Sequence, residues 1–178
     1  MMGTLKFKTI LADPPWQYKN KRAGGSMKSG AAQKYPVISL EKLKTFPINK
    51  ITDKDCILWL WATVPLLPEA LELMKAWGFR YKTAIFWRKI MFLGMGFWFR
   101  GQVEMLLLGI KGKIRAFRCQ KPNFLQTKVG KHSEKPIEIY QWIEPVSPKP
   151  RLELFARRKK PNWYCWGNEI ESDIKIDF

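Results

Sequence analysis

The patterning of this chain predicts an α/β fold with a mostly parallel sheet flanked by helices. Two observations carry that expectation. Apolar runs of strand length alternate with segments whose apolar residues fall at helical spacing. No internal repeat and no linker divides the 178 residues. Residues 1–178 are therefore read as one domain, long enough to bury a sizeable core.

The elements follow in order. The first strand is read over 6–12, on the apolar run FKTILA. Residues 17–36 are rich in Gly, Ser and Lys and predict a long loop, the kind that serves as a lid or stays disordered. SLEKLKTFPIN at 39–49 predicts a short helix with Ser39 as N-cap and Pro47 at its end. DCILWLWA at 55–62 reads as a buried strand. PLLPEALELMKAW at 65–77 has helical spacing, and Gly78 stands where a helix stop is expected. YKTAIFWR at 81–88 is the next strand, and QVEMLLLGI at 102–110 follows a Gly-rich aromatic stretch at 94–101. PIEIYQWI at 136–143 predicts a helix, RLELFAR at 151–157 a strand, and 163–166 a short last strand. Ligands of such sheets sit at the carboxyl ends of strands, where Asp13 and Arg157 are both expected.

Composition narrows the class. Apolar residues are 46% of the chain and aromatics 14%, which excludes a disordered tail. No apolar run reaches membrane-spanning length, and the start lacks a signal-peptide core, so the expectation is a cytoplasmic protein without membrane contact. Cys56, Cys119 and Cys165 are widely spaced, and His132 is the only histidine, so neither a metal site nor a disulfide framework is expected. The formal net charge is +17, which points to a polyanionic partner. Lys111 to Lys131 holds seven Lys/Arg and no acid, and Gln17 to Tyr35 holds five and no acid. The basic loops are thus 17–35 and 111–131, and phosphate contact is the expected use of Tyr18, Lys19, Lys21, Arg22, Lys113, Arg115 and Arg118.

Asp13-Pro14-Pro15-Trp16 is the most informative motif. An acid, two prolines and an aromatic at a strand end make a rigid, polar, flat-sided pocket. The exocyclic amine of adenine is a poor nucleophile, because its lone pair is delocalised into the ring. The Asp13 carboxylate can accept one amino proton and the Pro14 carbonyl the other. The tandem prolines fix that carbonyl in place. Trp16 offers a face on which a base can stack. Preorganised dipoles of this kind are usually the largest catalytic contribution. The plainer reading is a strand ending in a proline turn beside a core tryptophan.

With these pieces in order, the chain resembles the adenine N6-methyltransferases of the methyltransferase A-seventy family. The resemblance covers nearly the whole chain: ADPPW at 12–16, LWLWAT at 58–63, AWGF at 76–79, YKTAIFWRK at 81–89, GxGFWFRGQVEMLLLGIKG at 94–112, HSEKPIEIY at 132–140, RLELFAR at 151–157, PNW at 161–163 and WGNE at 166–169. It implies a Rossmann-like fold and S-adenosylmethionine as cofactor. It implies that Asp13, Pro14, Pro15 and Trp16 are catalytic, with Asp13 also contacting the cofactor. It further implies that Lys135 contacts the cofactor's carboxylate, Arg157 its ribose, and Asn168 with Glu169 its adenine and ribose. The family often has Gln where Glu169 stands. The family's His-Asn pair has no clear equivalent in Arg158-Lys159-Lys160. Glu104 matches a family glutamate near the substrate pocket.

Bland readings stand beside these. Lys135 also reads as a solvated charge at a helix start, Arg157 as a surface ion-pair partner and Glu169 as an exposed acid. Trp59 and Trp61 read as core. Trp98 and Phe99 read equally as core and as base-stacking aromatics. Alternation turns Glu153 away from Leu152 and Leu154, and its role is left open. His132 is not needed as a base, because the amine loses no proton before transfer. The expected activity is methylation of adenine N6 in DNA, which the short, very basic chain favours over RNA. The alternatives are the same chemistry on RNA and a non-catalytic nucleic-acid-binding module. Members of the family often work as dimers, so a homodimer or partner subunit fits the expectation.

Overall fold

The computed structural model describes residues 5–17, 37–90, 98–130 and 134–178. Its strands are β1 (Phe7–Ala12), β2 (Thr52–Thr63), β3 (Arg80–Ile90), β4 (Val103–Lys111), β5 (Phe124–Lys128), β6 (Arg151–Leu154) and β7 (Tyr164–Trp166). They form one sheet in the order β5-β3-β4-β2-β1-β6-β7. β1 lies parallel to β2 and β6, β6 to β7, and β3 to β5. Only β4, among these strands, runs against its neighbours β2 and β3.

The continuous apolar run in β2 has a simple cause: both faces of the strand are buried. Leu58, Leu60 and Ala62 enter one core and Ile57, Trp59 and Trp61 the other. Helix α3 (Leu67–Ala76) buries Ala70, Leu73 and Met74 in the first core. Helix α4 (Ile137–Ile143) buries Ile139, Tyr140 and Ile143 in the second. Gly78 ends α3 as expected, with φ at 81°. Its N–H donates to the Lys75 carbonyl at 2.9 Å, and the Phe79 N–H donates to that of Met74 at 3.0 Å. This paired closure satisfies the last carbonyls and sends the chain straight into β3.

Several boundaries differ from the sequence reading. Ser39 caps a helix, accepting from the Lys42 N–H at 3.3 Å. That helix spans only Leu40–Lys44 (α1), and Pro47 does not end it but caps a second one, Ile48–Ile51 (α2). Proline without an N–H suits a helix start, where that donor has no partner. β2 begins at Thr52, because Thr52 pairs with Phe7 of β1. β6 stops at Leu154, since Phe155 takes a positive φ of 61°. Residues 111–131 are not loop throughout. They contain β5, where the Trp87 indole N–H donates to Thr127 Oγ1 at 2.8 Å.

Candidate active site

β1 ends at Ala12, and the proline pair turns the chain sharply. The Trp16 N–H donates to the Pro14 carbonyl at 2.8 Å, closing a three-residue turn over Pro15. The Ile38 N–H donates to the Pro15 carbonyl at 2.9 Å. One lone pair of the Pro14 oxygen is thus used by the turn, which fixes the direction of the other. Trp16, the expected stacking residue, is 8% exposed and packs in the first core, with the indole N–H donating to the Trp61 carbonyl at 3.1 Å. Only part of Trp16 borders a depression, shared with Leu40, Leu66 and Glu69. Trp16 is a rigid wall more than an open platform.

Opposite the turn, the segment entering α4 delivers Lys135. Its Nζ lies 2.9 Å from Asp13 Oδ2, 3.2 Å from Glu104 Oε2 and 5.2 Å from the Trp61 ring centroid. Glu104 also pairs with Lys89, whose Nζ lies 5.1 Å over the Trp87 ring. Charges therefore alternate along Asp13, Lys135, Glu104 and Lys89, across three strands and the entry to α4. Burial acts to depress the Lys135 ammonium, but the Asp13 and Glu104 carboxylates outweigh it and hold the pKa above the usual lysine value. Burial acts to raise Glu104, and the two lysines outweigh it and hold its carboxyl below the usual range. Lys135 is thus no solvated helix-start charge.

A second group lies where β6 and β7 end. Ala156 and Gly167 approach so closely that a Cβ on Gly167 would stand 2.1 Å from the Ala156 oxygen. That contact brings Arg157 beside Glu169, with Nε 3.6 Å from Oε1, and Asn168 follows Gly167 at the surface. Arg158 pairs with Glu134, which ties this corner to the Lys135 segment. Sequence reasoning left out Tyr140 and did not place Glu153. The Tyr140 hydroxyl donates to Glu153 Oε1 at 3.0 Å, while Glu153 Oε2 is buried with no hydrogen-bond partner among the described residues. Burial raises Glu153 to about 7, against the opposing hydrogen bond from Tyr140 and the charge of Lys160. Burial together with Glu153 also raises the Tyr140 hydroxyl. Lys89 was also missed, although alternation from Trp87 puts it on the buried face.

Other expected contacts fall elsewhere. Lys113 follows β4, and its N–H donates to Asp55 Oδ1 at 2.7 Å. It therefore sits at the amino edge of β2, across the sheet from Asp13. Arg115 and Arg118 are exposed on the segment that follows. Trp98 is 93% and Phe99 91% exposed, which rules out the core reading for both. Tyr18, Lys19, Lys21, Arg22, His132 and nearly all of the 17–35 loop lie outside the described residues. Among the described residues no cluster of metal-ligand side chains occurs, and no helix is long and apolar enough to cross a membrane.

A mostly parallel seven-stranded sheet with flanking helices, and a polar network beyond the carboxyl end of β1, is consistent with a Rossmann-like methyltransferase fold. Residues 7–169 match MT-A70, and the chain belongs to that methyltransferase family. It is 35% identical to the type II methyltransferase M.MunI of a Mycoplasma species, over 97% of this chain and 81% of that one. It is 29% identical to the human N(6)-adenosine-methyltransferase catalytic subunit METTL3, over 97% of this chain but only 30% of that one. A probable N(6)-adenosine-methyltransferase of rice is 29% identical, and the chain covers 24% of its length.

Proposed function

We propose that this protein transfers a methyl group from S-adenosylmethionine to the N6 amine of adenine in DNA. The observation that carries the reading is the Lys135 bridge between Asp13 and Glu104, set against the proline turn. The bridge engages Asp13 Oδ2 and leaves Oδ1 to accept an amino proton of the base. The second lone pair of the Pro14 oxygen accepts the other. These two contacts favour the pyramidal nitrogen over the planar one, and so raise its nucleophilicity where the reaction needs it. Asp13 Oδ1 then holds the proton that the methylated nitrogen releases.

The residues present fit the cofactor. Among the described residues Glu153 Oε2 is an orphaned buried acceptor, and the close Ala156–Gly167 backbone approach sets Arg157 and Asn168 side by side at the same strand ends. The cofactor, when bound, supplies an electrophilic methyl on a sulfonium. Lys135 has a third N–H for its carboxylate, and Arg157, Asn168 and Glu169 serve its ribose and adenine. Trp98 meets the bases, while Arg115, Arg118 and Lys113 neutralise phosphates remote from the reacting base. A base in duplex must be flipped out to reach Asp13. DNA is favoured because the match to M.MunI spans most of that relative, whereas the adenosine enzymes match over less than a third of theirs. The setting is cytoplasmic, and a second copy or a partner subunit serves target choice.

The test is direct. The protein is incubated with S-adenosylmethionine and, separately, duplex DNA, single-stranded DNA and RNA. Each product is digested and N6-methyladenine nucleosides are quantified by mass spectrometry. Product on DNA that vanishes with Asp13→Ala supports the reading. Product on RNA alone transfers it to RNA, and cofactor binding without product on any substrate favours a binding module.

A further inference from the structure

The outer strands of the sheet leave one face open. β3 and β5 are in register as Phe86 with Phe124, Arg88 with Gln126 and Ile90 with Lys128. In a parallel pair these partners stand on the same face. Trp87 and Leu125 turn the other way, into the core under α4. Phe86 is 37% and Phe124 48% exposed, and Arg88, Gln126 and Lys128 are exposed as well. Arg88 donates to Gln126 Oε1 at 3.1 Å, so its guanidinium is held as a third planar group beside the two rings. Neither strand carries an acid, and the segment from 111 to 131 that leads into and out of β5 carries none either.

We propose that this face is a stacking platform for an unpaired stretch of the nucleic-acid substrate. The inference rests on the reading that the substrate is a nucleic acid. A flat sheet face with an exposed aromatic pair offers what unpaired bases need, because bases within a duplex do not present their faces. Arg88 and Lys128 supply phosphate contacts beside the rings. A second copy of this chain is a poorer occupant. A two-fold self-interface would set this cationic face against itself. The face leads to the same carboxyl edge as β1, from which β5 lies four strand spacings away, roughly 19 Å. A strand lying on the platform crosses that edge to reach Asp13.

The experiment reads binding without methyl transfer. Fluorescence anisotropy follows a labelled single-stranded 15-mer of mixed sequence, with a blunt duplex of the same sequence as comparison. Phe124→Ala is expected to weaken single-strand binding by roughly five- to 150-fold, the worth of one stacked base, and the duplex much less. Phe124→Trp keeps a ring and is expected to retain affinity. Calorimetric binding of S-adenosylhomocysteine stays unchanged in both variants and certifies the fold. Equal single-strand affinity for wild type and Phe124→Ala overturns the proposal. So does a change in sedimentation from dimer to monomer with oligonucleotide affinity intact, which would make the face a self-interface. Loss of the methylation reading is a separate result, because no step here depends on turnover.

Discussion

Lys135 is the residue on which the site turns, and its removal separates structure from chemistry. Lys135→Met takes the bridging cation from Asp13 and leaves Glu104 with Lys89 alone, and is expected to cost about 3–5 kcal/mol in urea unfolding. The double variant Lys135→Met/Glu104→Met is expected to cost less than the two single changes summed, since both single changes remove the same Lys135–Glu104 ion pair. Asp13→Asn keeps the size of the side chain but loses the charge, and is expected to lower kcat on the order of 10²- to 10³-fold. Glu153 gives a pH signature of its own. Its folded pKa is raised to about 7 from the model-compound value of 4.5. Between those values the folded state binds more protons than the unfolded one, so this group's contribution to stability is present at low pH and is lost as pH rises toward 7. Glu153→Gln is therefore expected to be more stable than wild type at pH 8, with the advantage shrinking toward pH 5. Thermal unfolding of both proteins across that range checks it, and parallel curves would show that Glu153 titrates normally.

At the scale of elements, backbone geometry decides two further outcomes. A Cβ at Gly78 meets nothing within 4 Å, yet φ is 81°, so Gly78→Ala is expected to cost about 1 kcal/mol through conformation alone. Gly167 is the opposite case. Its Cβ would strike backbone at Ala156, and the ends of β6 and β7 must part to admit it. Gly167→Ala is expected to weaken S-adenosylhomocysteine binding in calorimetry, because Arg157 and Asn168 lose their mutual placement. The helix α3 stop was legible beforehand because glycine in that setting has one local meaning. β5 was not, because FLQTK is short, half exposed and set in a basic stretch, and only pairing with β3 makes it a strand. The same reason hid the site's wiring. Asp13, Lys89, Glu104 and Lys135 lie far apart in sequence, and only the strand order brings them into contact. The motif indicated which turn mattered, while the burial of Trp16 depended on packing against β2 that no local pattern encodes.

For the whole molecule, the decisive property is how the charge is distributed. The β3–β5 side and the segment between β4 and β5 are acid-free, whereas the last ten residues beyond β7 hold four acids. The β5 side therefore carries basic charge that no neighbouring acid offsets in sequence, whereas the basic residues of the β6–β7 side are followed by acids, and the field favours a polyanion at the β5 side. Binding should weaken steeply with salt, since each neutralised phosphate contributes about −0.9 to the slope of log K against log salt on duplex DNA. Six to ten such contacts correspond to a loss of about 10³–10⁵ in affinity between 50 and 200 mM salt. Arg115→Ala and Arg118→Ala are each expected to flatten that slope by about 0.9 if the residue meets a phosphate. Neither should change kcat at saturating substrate, because a phosphate contact acts on binding and not on the transfer step. Anisotropy titrations at four salt concentrations measure the slope, and a single-turnover assay measures the chemistry. A slope unchanged by both substitutions would place the phosphate path elsewhere on the basic surface and remove Arg115 and Arg118 from the interface.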